Sequence, residues 1–189
     1  SVDRGGVDAT GAVYLIPGGA TGSLTVTDAT AIIEGAEEKD NLGAFTAPAG
    51  DSNGDGYDDV WITDTPTGDH SHAWLFLGPL TGTMNQGDAD LSVIWDENFF
   101  AYDIVSGFDL DNVAGFDGVM ANPNSSPGAV ALLSGSQSYD VDLNLTTPDV
   151  TLTGGTSSYA FGYASSAGDI NADGIADLIV SENINADGV

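Results

Sequence analysis

Oxygen-bearing side chains crowd one short stretch, GDSNGDGYDDVWIT (50–63), which sets Asp51, Asn53, Asp55 and Asp59 at positions one, three, five and nine of a loop. In a tight loop alternate side chains point inward, so odd-numbered spacing gathers oxygens around one centre. The Tyr57 carbonyl at position seven adds a backbone ligand, and Asp58 is expected to point away. Ca²⁺ takes six to eight oxygens at about 2.3–2.6 Å and tolerates irregular geometry. Gly56 occupies position six, where such a loop turns sharply. Without a cation, each pair of carboxylates a few ångströms apart costs on the order of 1–4 kcal/mol at effective dielectrics of 80 to 20. A divalent ion converts that repulsion into attraction. Mg²⁺ fits less well because it demands an octahedron and keeps its waters. Zn²⁺ favours Cys and His, and the chain has no Cys.

The same loop returns further along. GDINADGIADLIV (168–180) puts Asp169, Asn171, Asp173 and Asp177 at the same four offsets, with the Ile175 carbonyl at seven and Gly174 at six. Between them, GFDLDNVAGFDGVMA (107–121) keeps Asp109, Asp111 and Asp117 at offsets one, three and nine but has Val113 and Ala114 where the others carry Asp-Gly. Two full calcium sites are therefore expected, and the middle loop is the candidate for a third. The loops start at 51, 109 and 169, a period near sixty residues.

The flanks repeat with the loops. A small-residue strand precedes each one, in LGAFTAPA (42–49), FAYDIVS (100–106) and FGYASSA (161–167), and DVWIT, DGVMA and DLIVS follow. A third strand is expected in GAVYLIPG (11–18), HAWLFLG (72–78) and GAVALLSG (128–135). A fourth is expected in ATAIIEG (29–35), LSVIWDE (91–97) and DVTLTGG (149–155). These runs are short, rich in β-branched and aromatic residues, and bounded by Gly, Pro, Asn or Asp. No stretch sustains helical periodicity. The expected fold is all-β, built of β-propeller blades of four antiparallel strands. Its phase gives about three blade equivalents: a half-blade at 1–36, blades at 42–97 and 100–155, and a half-blade at 159–189. A ring needs at least about four blades. The ring is then completed either by other segments of a longer protein or by other copies of the chain.

These residues resemble the FG-GAP repeat, the blade unit of the integrin α-chain propeller and of many bacterial surface and secreted proteins. Phe161-Gly162 matches the opening pair, GDINADGIADLIV the calcium loop with its second strand, and GAVYLIPG the usual third strand. Leu42-Gly43 replaces the opening pair in the first unit, the middle loop is altered, and Thr65-Pro66 stands where the family has GAP. The resemblance covers nearly the whole chain and implies that the calcium is structural, stiffening each blade. Dockerins and EF-hands share Asp-x-Asn-x-Asp-Gly, but there a helix follows and a Glu closes the site at position twelve. Here strand-forming residues follow, and position twelve is Ile62 or Val180.

Composition narrows the partners. The chain has 29 acidic and 2 basic residues, a net charge of −27, which disfavours nucleic acid and anionic membrane faces. Arg4 and Lys39 are too few to form an anion site. His70 and His72 could act with Asp69, though loop polar groups before a strand are commonplace. Trp61, Trp74 and Trp95 could stack on sugars, but large aromatics on strands more often pack in a core. NINADG (183–188) resembles a loop start and falls in the phase of a connector, so it reads as a turn. No triad context, phosphate loop or nucleotide fingerprint is present. The expected function is non-enzymatic: a calcium-binding extracellular, secreted or cell-surface module for adhesion or for binding protein or glycan. The alternatives are the propeller part of a polysaccharide-acting enzyme and a self-assembling surface subunit.

Overall fold

The computed structural model of the chain describes residues 10–36, 41–64, 71–94, 103–106, 109–110, 117–122, 128–133, 143–144, 150–155 and 161–182. In chain order the strands are β1 (Ala12–Leu15) and β2 (Ala31–Glu34), followed by β3 (Thr46–Gly50), β4 (Asp59–Thr63), β5 (His72–Phe76), β6 (Gly82–Asn85) and β7 (Leu91–Ile94). Then come β8 (Asp103–Ser106), β9 (Gly118–Asn122), β10 (Ala129–Leu133), β11 (Leu143–Asn144) and β12 (Val150–Thr153), and finally β13 (Phe161–Gly168) and β14 (Asp177–Glu182). The described chain is all-β apart from two short 3-10 turns at Val26–Asp28 and Gln86–Asp88. Among the described residues no helix is long and apolar enough to cross a membrane.

Two four-stranded antiparallel meanders form the middle of the molecule: β3-β4-β5-β7 and β8-β9-β10-β12. Ahead of them lies the β1-β2 pair, and after them the β13-β14 hairpin. Every expected first, second, third and fourth strand is present in this arrangement. β6 and β11 are additions. Each arises in the connector between the third and fourth strands of its own unit, yet pairs in parallel with the outermost strand of the preceding sheet: β6 with β2, and β11 with β7. Thus each connector stitches one sheet to the next.

The sheets bury apolar residues on both faces, which explains why β9 is buried along its whole length rather than alternating. Trp61, fully buried, packs with Leu75, Val93, Ile104, Met120 and Leu133 between the two meanders. Its neighbour Ile62 points to the opposite face and joins Ile33, Leu42, Trp74 and Phe76 against the β1-β2 pair. A third cluster, Val119, Ala121, Val130 and Ala164, lies between the second meander and the β13-β14 hairpin. Trp61 and Trp74 are core residues. Trp95 lies outside the described residues, as do Arg4, Lys39, Thr65-Pro66, Asp69, His70 and the 183–188 stretch.

The opening pair of a unit makes the closest approach between units. Gly11 forms a parallel bridge with Leu42, and a Cβ on Gly11 would meet the Leu42 carbonyl at 2.2 Å. Gly128 stands in the same relation to Phe161, at 2.0 Å. Leu42-Gly43 and Phe161-Gly162 therefore occupy equivalent places, although only the second carries the aromatic residue.

Residues 12–34 recur sixty positions later, at 72–94, without an insertion. The β1-β2 register pairs Ala12 with Glu34 and Leu15 with Ala31, and the β5-β7 register pairs His72 with Ile94 and Leu75 with Leu91. The Thr30 N–H donates to the Leu15 carbonyl at 2.8 Å, and the Asp90 N–H to the Leu75 carbonyl at 2.9 Å. Both intervening 3-10 turns carry a capping box: Thr25 N–H to Asp28 at 2.7 Å, and Asn85 N–H to Asp88 at 2.8 Å.

Candidate metal centre

Each acidic loop is the tip of a hairpin. Gly50 pairs with Asp59 at the base of the first, and Gly168 with Asp177 at the base of the third, each just after a register irregularity in the incoming strand. The base of the loop is therefore fixed by the ladder, and the residues between, 51–58 and 169–176, fold on their own side chains.

In the first loop Asp51 accepts the N–H groups of Asp55 and Gly56, both at 2.9 Å. The Asn53 side-chain oxygen accepts the same Asp55 N–H at 3.0 Å. Asp55 in turn accepts the Tyr57 N–H at 2.9 Å. The third loop repeats this network almost to the distance. Asp169 accepts from Asp173 at 3.0 Å and Gly174 at 2.9 Å, Asn171 from Asp173 at 2.9 Å, and Asp173 from Ile175 at 2.9 Å. In both loops two oxygen-bearing side chains thus converge on one backbone N–H, that of Asp55 or Asp173, whose own carboxylate takes the N–H two residues on.

The backbone torsions agree as well. Gly54 (φ 78°) and Gly56 (φ 93°) take the left-handed region, as do Ala172 (φ 62°) and Gly174 (φ 91°) at the same positions. A non-glycine residue adopts that region at a cost of roughly 1–2 kcal/mol. Ala172 holds it because the side-chain bonds on either side leave the loop no other path.

The ninth position is engaged separately. Asp59 is buried and accepts the Ser52 N–H at 2.9 Å, the Ser52 hydroxyl, and the Gly78 N–H at 2.8 Å. Asp177 accepts the Ile170 N–H at 2.7 Å and the Asn171 N–H at 3.3 Å. In the middle loop Asp117, also buried, accepts the Leu110 N–H. The bond from position two to position nine therefore exists in all three loops. Asp109 is exposed, and its carbonyl accepts the Ala176 N–H of the third loop at 3.1 Å, tying neighbouring loops together. Asp111 lies outside the described residues.

The donor set consists of oxygen alone, which suits a hard cation and not a soft one. A carboxylate oxygen that accepts one N–H keeps a further lone pair, so the bonded oxygens of Asp51, Asn53 and Asp55 retain ligating capacity. Among the described residues no three Asp, Glu or His side chains stand together as a metal cluster. What converges in each of the first and third loops is two carboxylates and a carboxamide.

Residues 161–188 match the FG-GAP repeat. The FG-GAP match begins at the Phe161-Gly162 pair that abuts Gly128 and takes in the whole β13-β14 hairpin with its acidic loop. The β3-β4 hairpin, outside the matched residues, repeats the backbone bonds accepted by the side chains at positions one, three and five of the FG-GAP loop. No curated protein matches the chain.

His72, named from the sequence together with Asp69, has a different partner. The buried Asp64 accepts its N–H at 2.7 Å and contacts its Nδ1 at 2.9 Å, while Trp74 stacks on the ring with centroids 5.2 Å apart. Sequence distance hid this pair. Asp64 follows β4 and His72 opens β5, so the antiparallel pairing of the two strands brings them together.

Proposed function

We propose that the chain is a non-enzymatic β-propeller module of an extracellular, secreted or cell-surface protein, used for adhesion or for binding protein or glycan, with structural calcium in its hairpin loops. The observation that carries this reading is the shared network of Asp51–Asn53–Asp55 and Asp169–Asn171–Asp173 in two hairpins far apart in sequence. Independent acidic turns have no reason to agree in both torsions and bonding. The FG-GAP match at residues 161–188 supports the same reading, since such repeats typically occur in extracellular or surface proteins. Stacking of four-stranded antiparallel sheets face to face supports a radial, propeller-type arrangement.

Asp51, Asn53, Asp55, the Tyr57 carbonyl and Asp59 would hold one ion. Asp169, Asn171, Asp173, the Ile175 carbonyl and Asp177 would hold a second. Asp109, Asp111 and Asp117 are the set for a third. Bound calcium supplies positive charge that offsets the mutual repulsion of the loop carboxylates. The Asp55 and Asp173 N–H groups orient the side chains at positions one and three, and the ninth-position carboxylates close the hairpin from below. Extracellular modules bind calcium at about 10⁻⁴–10⁻³ M, an affinity suited to sites whose role is to stiffen.

Calorimetric titration of calcium into the metal-free chain tests the reading. At least two sites are expected, with Asp51→Ala removing one and Asp169→Ala another. A residual site in the double variant that vanishes with Asp109→Ala belongs to the middle loop. Heats unchanged in the double variant would contradict the assignment.

A further inference from the structure

Asn53-Gly54 is the only Asn-Gly pair in the chain, and it stands in the tip of the β3-β4 hairpin. An asparagine followed by glycine loses its side-chain amide readily, because glycine has no Cβ to keep the next backbone nitrogen away from the amide carbon.

The fold leaves this pair open. Both residues are exposed, and a Cβ on Gly54 would meet no atom within 4 Å. The Asn53 amide folds back along its own backbone. Its oxygen accepts the Asp55 N–H at 3.0 Å, and its Nδ2 donates to the Asp55 carboxylate at 3.0 Å. That fold-back carries the amide past the Gly54 nitrogen. The Asp55 N–H also draws electron density from the amide carbonyl, which makes its carbon more open to attack. Among the described residues the Gly54 N–H has no acceptor. The glycines of the nearby Asp-Gly pairs differ: Asp51 holds the Gly56 N–H and Asp169 the Gly174 N–H, both at 2.9 Å.

The third loop is a built-in control. The Asn171 oxygen accepts the Asp173 N–H at 2.9 Å, and Ala172 lies at φ 62° where Gly54 lies at 78°. The Asn171 Nδ2 reaches Asp177 at 3.4 Å rather than Asp173. Torsion and carbonyl bonding are therefore shared, and the methyl group of Ala172 stands between the two reacting atoms.

We propose that Asn53 is a site of spontaneous deamidation in the folded chain and that Asn171 is not. The Gly54 nitrogen gives its proton to solvent base and attacks Asn53 Cγ. The N–Cγ bond forms, the Cγ–Nδ2 bond breaks, and Nδ2 takes a proton from solvent and leaves as ammonia. Water then opens the cyclic imide at either carbonyl, leaving an aspartate or an isoaspartate at position 53. Nothing is oxidised or reduced, and water is the only co-reactant.

Either product adds a carboxylate to a loop in a chain of net charge −27. The isoaspartate also routes the backbone through the side chain. That extra methylene pulls the Asp55 N–H away from the two oxygens that share it. The first loop therefore ages while the third keeps its form, and two loops that start alike become unequal.

Incubation of the full chain in warm, mildly alkaline buffer with chelator tests the proposal, read by peptide mass mapping and by isoaspartyl methyltransferase labelling. The chelator makes the result independent of the metal reading. Conversion at position 53 is expected to run at least about tenfold ahead of position 171, equivalent to about 1.4 kcal/mol in barrier. Gly54→Ala, whose methyl meets open space, is expected to slow position 53 to the pace of position 171. Ala172→Gly is expected to bring position 171 up to the pace of position 53. Equal rates at the two positions in the parent chain would overturn the proposal, as would rates that neither variant changes. So would an Asn53 that stays intact in the folded chain while the urea-unfolded chain is converted, since the fold would then be its shield.

Discussion

The Asp59 carboxylate accepts the Ser52 N–H at 2.9 Å from a buried position, and the same bond joins Leu110 to Asp117 in the loop that carries Val113-Ala114 in place of Asp-Gly. The ninth-position aspartate is therefore a structural clasp of the hairpin, whatever else it does. Removing it leaves buried donors without an acceptor, at about 1–3 kcal/mol each. Asp59→Ala is expected to lower unfolding free energy by at least ~2 kcal/mol in urea melts. Asp117→Ala is expected to do so too, and equally with chelator present. A cost at Asp117 that disappears on chelation would contradict the clasp.

Ala172 sits at φ 62°, where the first loop has Gly54. Glycine enters that region freely, although its unfolded state is more disordered. Ala172→Gly is expected to stabilise the chain by about 0.5–1 kcal/mol, and Gly56→Ala to destabilise it by at least ~1 kcal/mol. Opposite signs in denaturant titrations would refute the torsional account.

Asp64 holds both the N–H and the ring of His72. Asp64→Ala is expected to cost about 2–3 kcal/mol, since a buried acceptor of two bonds is lost. Calcium titration of that variant is expected to match the parent chain, which separates this pair from the loop chemistry.

Trp61 is sealed between the two meanders. Trp61→Ala is expected to cost about 3–5 kcal/mol, as for other large-to-small changes in cores. A near-silent substitution would mean that the meanders do not pack in solution as described.

The sequence made the main strands legible because their patterning is strong and the acidic loop fixes the phase of each unit. β4 and β9 follow their loops directly, and the Gly-Ala-Val openings of 11–13 and 128–130 mark third strands. β6 and β11 escaped notice because Gly-Thr-Met-Asn and Leu-Asn carry no alternation; backbone pairing with the preceding sheet makes them strands. The grouping of Asp51, Asn53 and Asp55 was legible from spacing alone. The clasp was not, because its donors are backbone N–H groups, which any residue supplies. Nor was Asp64 as the partner of His72, which follows from the β4-β5 register rather than from a motif.

Thermal melting of the full chain in about 10 mM calcium and again in excess chelator tests the central claim most directly. Two sites of about 10⁻⁴–10⁻³ M affinity would contribute roughly 3–5 kcal/mol under those conditions. The predicted shift is ~6–20 °C for a chain of this length, and it is abolished in the Asp51→Ala/Asp169→Ala double variant. Coincident melting curves for the parent chain with and without calcium would contradict the claim.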